Sequence, residues 1–153
     1  MRTKNLDNHN DIITIISRCQ VCHVAMVDPE GKPYLLPMNF GFADDVIYLH
    51  SAQEGKKIDC LKINPSVCVN FTTDHELLFQ HKEVGCSYSM KYSSVLCYGT
   101  VEFIEDTEQK RQALDIVMKQ YTDGKFTYNP PSMREVNCWI VKVDRFDGRI
   151  HRH

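Results

Sequence analysis

The chain has 153 residues, 42% of them hydrophobic, and Lys+Arg 18 against Asp+Glu 20 leave a formal net charge of -2. That length and apolar content suit a single domain over residues 1–153 with a substantial core. A balanced charge with no basic block excludes a nucleic-acid-binding surface, and no apolar run approaches the roughly 20 residues of a membrane span.

The segment "DNHNDIITIISRC" sets Asp and Asn ahead of Ile12, Ile13 and Ile16, the pattern of a short amphipathic helix. "QVCHVAMVD" is rich in Val and runs into the turn "DPEGK"; "PYLLPMNFGF" resumes beyond it, so the pair reads as a hairpin. A turn at "ADD" leads into the strand "VIYLHS". The period then changes. In "SAQEGKKIDCLKINP", Ser51 with Glu54 forms a capping-box pattern, Ile58 and Leu61 share a face, and Pro65 ends the helix.

"SVCVNFTTD" alternates Val67, Val69 and Phe71 as a strand does, and residues 76–90 are read as strand too. "YSSVLCYGTVEFIED" is a long strand in which Gly99 marks a bulge or bend. Asp106 with Gln109 opens a helix that reaches Tyr121, with Leu114, Val117, Met118 and Tyr121 as its buried stripe. "TDGKFTYNPPSMRE" reads as a loop, "NCWIVKVDRF" as the final strand and "RIHRH" as a frayed tail. Six strands with few helices predict an antiparallel barrel of the α+β kind, mainly β.

The cysteines set a compartment. Seven is an odd number, mostly widely spaced, which points to reduced thiols. The N-terminal residues lack the apolar core and cleavage site of a secretory signal, so a cytoplasmic protein is expected. Cys60, Cys68, Cys97 and Cys138 read as buried small hydrophobes. "CQVCH" has the spacing of covalent haem attachment. On a strand, however, positions three apart face opposite ways, so Cys19 and Cys22 have no common target. One C-x-x-C supplies only two of the four ligands of a structural zinc site, and no metal site is expected.

One segment carries chemistry. A strand ends at His50 and Ser51, a helix opens, and Lys56 and Lys57 sit at its start beside Gly55. Helix-start N–H groups and two ammonium groups make an anion site suited to a phosphate.

"CHVA", "GKPYLLPMNFGF", "VIYLHSAQEGKKIDCLKINPSVCVNF", "YSMKYSSVLCYGTVEFIED" and "VDRFDGR" resemble the Nim family of 5-nitroimidazole resistance proteins, within the pyridoxamine 5'-phosphate oxidase-like FMN-binding split barrels. The resemblance implies a six-stranded antiparallel split β-barrel with a few short peripheral helices. It implies FMN, with FAD possible, at a homodimer interface, and a small nitroaromatic substrate.

By position it makes Pro37, Met38, Asn39 and Phe40 the segment lining the flavin ring, and His50 and Ser51 the pair beside ring and phosphate. Lys56 and Lys57 become the phosphate-holding pair. Ser94 faces the other subunit's flavin, with Trp139 and Asp147 to Arg149 near that side. Ser93 stands where relatives often carry Arg, and longer relatives continue past His153. A six-stranded barrel fills its interior with its own side chains, so a flavin needs a groove walled by a second copy.

Two classes of function stay open. One is a flavin-dependent reductase of 5-nitroimidazoles or other small nitro compounds, with His50 as the catalytic residue. The alternative is a non-catalytic flavin- or haem-binding protein, or a pyridoxamine 5'-phosphate oxidase-like enzyme, the last weakened by the lack of basic residues for a second phosphate.

Overall fold

The computed structural model describes residues 2–152. Along them run β1 (Arg2–Leu6), α1 (His9–Arg18), β2 (Cys22–Val27), β3 (Pro33–Met38), β4 (Gly41–Ala43), β5 (Val46–Ala52) and α2 (Lys56–Ile63). β6 (Ser66–Phe79), β7 (Tyr88–Ile104), α3 (Thr107–Tyr121), α4 (Pro130–Glu135) and β8 (Val136–Arg152) complete the chain. The strands form one antiparallel, open, eight-stranded sheet in the order β3-β2-β6-β7-β8-β5-β4, with β1 added on β8. The expected mainly-β α+β architecture is present, but the expected six strands are eight.

The two additional strands have identifiable causes. β1 is polar and without alternation; it is held by backbone pairing from Arg2↔Arg152 to Leu6↔Gly148. "PYLLPMNFGF" is broken between Met38 and Gly41, where Phe40 turns wholly into the core. The Tyr121 hydroxyl fastens the break, accepting from the Phe40 N–H at 3.1 Å and donating to the Gln20 carbonyl at 2.7 Å. Gly41 lets α3 close on β4, because a Cβ there would lie 2.7 Å from the Ile116 carbonyl and the Val117 nitrogen.

Other boundaries also move. Ile15 replaces Ile13 in the buried face of α1, since a helix starting at His9 puts Ile12, Ile15 and Ile16 on one stripe. Residues 76–90 are not one strand: β6 ends at Phe79, a turn with a short 3-10 helix at Gly85–Ser87 follows, and β7 begins at Tyr88. α3 buries Ala113 and Val117, while Tyr121 at the expected stripe's end is 40% exposed. The expected loop contains α4, whose start is capped by Asn129 accepting from the Ser132 N–H. "RIHRH" is not a frayed tail: β8 continues to Arg152 between β1 and β7.

The turn and bulge chemistry is as the residues require. Asp44 and Asp45 both have positive φ (51° and 62°), the geometry of a two-residue hairpin turn between β4 and β5. At Gly99 the β7–β8 register shifts, and a Cβ there would sit 2.1 Å from the Lys142 carbonyl oxygen. Inside the curved sheet, Val24, Val69, Phe71, Val95, Trp139 and Val141 pack with Ile16 of α1 and Cys60 and Leu61 of α2. Helices α1 and α2 therefore close the core from within and leave the outer face of β2, β6 and β7 open.

Candidate functional site

On β5, Ile47 and Leu49 point into the core, and Val46, Tyr48 and His50 occupy the other face, as alternation predicts. His50 pairs in register with Cys138, whose thiol reaches the Lys110 carbonyl of α3 at 4.0 Å, so His50 lies on the face that α3 borders. Its Nδ1 is buried without a hydrogen-bond partner. Burial lowers the His50 pKa below its ordinary value, which keeps the ring neutral at pH 7. A neutral imidazole keeps one N–H donor and one acceptor nitrogen, but the buried Nδ1 is closed to a ligand unless the side chain moves.

Ser51 is not a helix cap. β5 continues through Ala52, and the Ser51 hydroxyl donates to the Ala52 carbonyl at 3.0 Å while accepting from Trp139 Nε1 at 3.4 Å. The expected capping box fails because Glu54 lies in the loop and Gly55 is the N-cap residue. No side chain caps α2. Its first N–H groups and the ammonium groups of Lys56 and Lys57 thus share one corner, with the partial positive charge of the helix start. Gly55 has φ 134°, a region that suits glycine, and a Cβ there would meet no atom within 4 Å. Lys56 Nζ lies 4.4 Å from the Tyr34 ring centre, which brings the corner beside β3.

The remaining expected residues divide. Pro37 is exposed and pairs with His23; Met38 is half-buried and pairs with Cys22; Asn39 is exposed in the break. Phe40 and Trp139 are fully buried, Phe40 edge-on to Phe71 at 4.8 Å, so their side chains serve the core and build the floor behind the corner. Ser94 lies elsewhere. It belongs to a groove of about 330 Å³ with Asn70, Thr72, Tyr92, Asp147 and Arg149. β2 and β6 separate its strand from β3, a span of roughly 14 Å at ordinary strand spacing.

One chain therefore carries two separate polar features, a cationic corner and a groove. The groove's Asn70, Thr72 and Tyr92 were missed in the sequence, though they alternate with the inward Val69, Phe71 and Ser93. Gly148, between Asp147 and Arg149, is inward and meets Leu6 and Ile12, each 3.0 Å from its would-be Cβ, so the "DGR" triplet displays its two charges outward. Ser93 is also inward, buried, and bonded to Asp74, so its replacement of an Arg removes no charge from the groove.

The cysteines are free. Cys60, Cys97 and Cys138 are buried as expected, whereas Cys68 is half-buried. Cys19 and Cys22 both enter the core, because the chain bends before β2 begins and alternation does not extend back to Cys19. Burial pushes their thiols up to about 11 and 12. His23 faces the other side of the sheet, so the motif cannot present two sulfurs and an imidazole to one haem. Among the described residues no helix is long and apolar enough to cross a membrane.

Comparison with known proteins agrees with this architecture. Residues 8–150 match the family described as Pyridoxamine 5'-phosphate oxidase. A candidate 5-nitroimidazole antibiotic resistance protein from Bacteroides thetaiotaomicron has a similar solved structure, with 46% identity, TM-score 0.89, and coverage of 97% of this chain and 87% of that one. The FAD and heme binding protein from Mycobacterium smegmatis shares the fold at 17% identity and TM-score 0.86, covering 98% and 74%. A flavocytochrome from Azotobacter vinelandii does so at 15% and 0.84, covering 97% and 70%. Among curated proteins none matches. The chain belongs to the pyridoxamine 5'-phosphate oxidase family.

Proposed function

We propose that the protein is a homodimeric, FMN-binding reductase of small nitro compounds, with 5-nitroimidazoles as the substrate class. The observation that carries this reading is the cationic corner at the uncapped start of α2, where Lys56 and Lys57 form the first turn after Gly55. The residues fit a flavin phosphate: the open space at Gly55 admits it, the N–H groups face it, and two ammonium groups neutralise it. FAD meets the same corner through its own phosphates. The substrate class rests on the similarity to the Bacteroides thetaiotaomicron protein.

When bound, the flavin supplies electron pairs drawn from a reduced nicotinamide, which takes a nitro group towards the amine without a one-electron radical. The chain's own part is to orient and enclose. His50 would need to turn its buried nitrogen outward to hold a nitro oxygen, and Pro37 to Asn39 border the ligand beside β3. The groove at Ser94 completes the enclosure from a second copy, because a two-fold axis can set the groove of one subunit against the corner of the other.

A neutral, unpartnered imidazole is also the form that ligates haem iron, so a non-catalytic flavin- or haem-binding protein is the second reading. The absorption spectrum of the purified protein, with mass analysis of the released cofactor, separates the two. Flavin bands and loss of nitro absorbance with reduced nicotinamide support the first; a Soret band without turnover supports the second. His50→Ala is expected to retain flavin and lose turnover by roughly 10²–10⁴. Full activity in that variant removes His50 from the reaction.

A further inference from the structure

The end of β8 serves both faces of the sheet. Alternation sends Asp147, Arg149 and His151 to the outer face and Gly148, Ile150 and Arg152 to the inner one. β1 runs antiparallel beside it, Lys4 against Ile150 and Leu6 against Gly148, so Lys4 and Leu6 join the inner face. Helix α1 crosses that face, and Leu6 and Ile12 meet over Gly148, each 3.0 Å from its would-be Cβ. At the other end, Arg18 and Arg152 line the same two hollows, so α1 runs from the Leu6 end of the ribbon to the Arg152 end. Asp11, Thr14, Ile15 and Arg18 recur at three- and four-residue intervals and form the helix stripe that faces the ribbon.

Between stripe and ribbon lies a cleft of about 520 Å³, within the ~300–1,000 Å³ of small-molecule sites. Its floor is apolar: Ile15 is buried, and Leu6 and Ile150 pack against the core. Its two ends differ in charge. Asp11 stands at the end near Leu6, and Arg18 and Arg152 stand at the other, about 10 Å away by the helix rise over seven residues. Lys4 lies between them on the ribbon. Arg18 is engaged by Asp74 at 2.6 Å. Lys4, Arg152 and Asp11 form no ion pair among the described residues. None of the cleft's residues belongs to the Lys56–Lys57 corner or to the Ser94 groove, which lies on the outer face.

We propose that this cleft binds a small monocarboxylate with an apolar body. The carboxylate takes Arg152 and Lys4, the body lies along Ile15, Leu6 and Ile150, and the far end stops at Asp11. A planar guanidinium without a partner matches a carboxylate through two parallel hydrogen bonds. Cations alone would take any anion. The apolar floor selects among anions, because an apolar body that covers it removes surface from water, whereas inorganic phosphate leaves it bare. Asp11 sets the direction. It repels a second carboxylate at the far end, so a dicarboxylate of the same length is refused. The cleft is independent of the flavin reading, since the two share no residue.

The test uses the full chain, with and without excess FMN, titrated with octanoate, 1-octanol and octanedioate and followed by calorimetry and by the methyl NMR signals of Ile15 and Ile150. Octanoate is expected to saturate one site, to shift both methyl signals, and to bind at least about 10-fold more tightly than either of the other two. Arg152→Gln is expected to weaken octanoate by about 10-fold or more and to leave 1-octanol unchanged. Asp11→Asn is expected to admit octanedioate about as tightly as octanoate. Both side chains are exposed and free of ion pairs, so both variants are expected to fold. Methyl signals unmoved by octanoate, or an Arg152→Gln chain that binds it as tightly as the wild type, overturn the proposal. An Asp11→Asn chain that still refuses octanedioate overturns the direction assigned to the ligand. Octanoate that displaces FMN and leaves the two methyls unmoved also overturns the proposal, while the flavin reading stands. A chain that takes up no FMN overturns the flavin reading alone, and the titration without FMN then decides the cleft.

Discussion

The inner and outer faces of this one sheet obey different rules. Inside, every large side chain has a partner: Trp139, Phe40, Phe71 and Leu49 are buried, and Gly99 is glycine because the Lys142 carbonyl leaves no room for a Cβ. Outside, on β2, β3, β6 and β7, side chains are half-covered and mixed in character, and Leu35, Leu77, Phe79 and Met90 are exposed. Gly85, in the turn between β6 and β7, has nothing within 4 Å of its would-be Cβ. The contrast teaches that substitutions on the inner face meet packed neighbours, whereas those on the outer face meet open space.

The largest expected effect is at Gly99. Gly99→Ala forces a methyl onto backbone and should cost more than about 3 kcal/mol, whereas Gly85→Ala should stay within about 0.5 kcal/mol. Thermal unfolding of both variants checks this, and equal midpoints would dissolve the distinction between the faces.

Next come the side chains themselves. Trp139→Ala is expected to cost about 3–5 kcal/mol of folding stability. Leu35→Ala should leave the folding of a dilute chain within about 0.5 kcal/mol and act on self-association instead. Urea denaturation at two protein concentrations separates these contributions.

The corner should respond in ligand affinity and not in folding. Lys57→Ala, and to a lesser degree Lys56→Ala, is expected to weaken FMN binding by about 1.5–3 kcal/mol, an effect that shrinks as salt rises. Fluorescence titration measures it. Unchanged affinity in both single variants and in the double variant would remove the phosphate assignment.

The smallest effect is a pH dependence. Because burial lowers the His50 pKa, the unfolded chain takes up a proton below pH 6.5 that the folded chain refuses. Stability is therefore complete above pH 6.5 and falls as pH drops from there towards the lower folded value, by at most about 1.4 kcal/mol per pH unit. His50→Asn should flatten that window. Asp74, whose carboxyl Arg18 holds below the usual range, loses its contribution only at more acid pH, as the pH falls through its own folded value. Denaturation midpoints across pH resolve the two, and a profile unchanged by His50→Asn would mean that the ring is solvated.

Much of this was legible in the residues because much of it is local. Alternation in "SVCVNF" and "VIYLHS" placed the core face, Asp106 capped its helix on the Gln109 N–H, and Gly99 announced its bulge. The cationic corner was legible too, since Lys56 and Lys57 open α2 by sequence proximity alone. Tertiary structure decided the rest. β1 carries no apolar signal and exists because β8 offers it an edge; Ser51 finishes a strand because β8 pairs with it there, so it cannot cap α2. The separation of Ser94 from the corner, the Tyr121 bridge and the bond from Ser89 to His151 of β8 depend on which strands become neighbours. A side-chain period states which way a residue faces, whereas the backbone hydrogen bonds that join distant segments leave no trace in either segment alone.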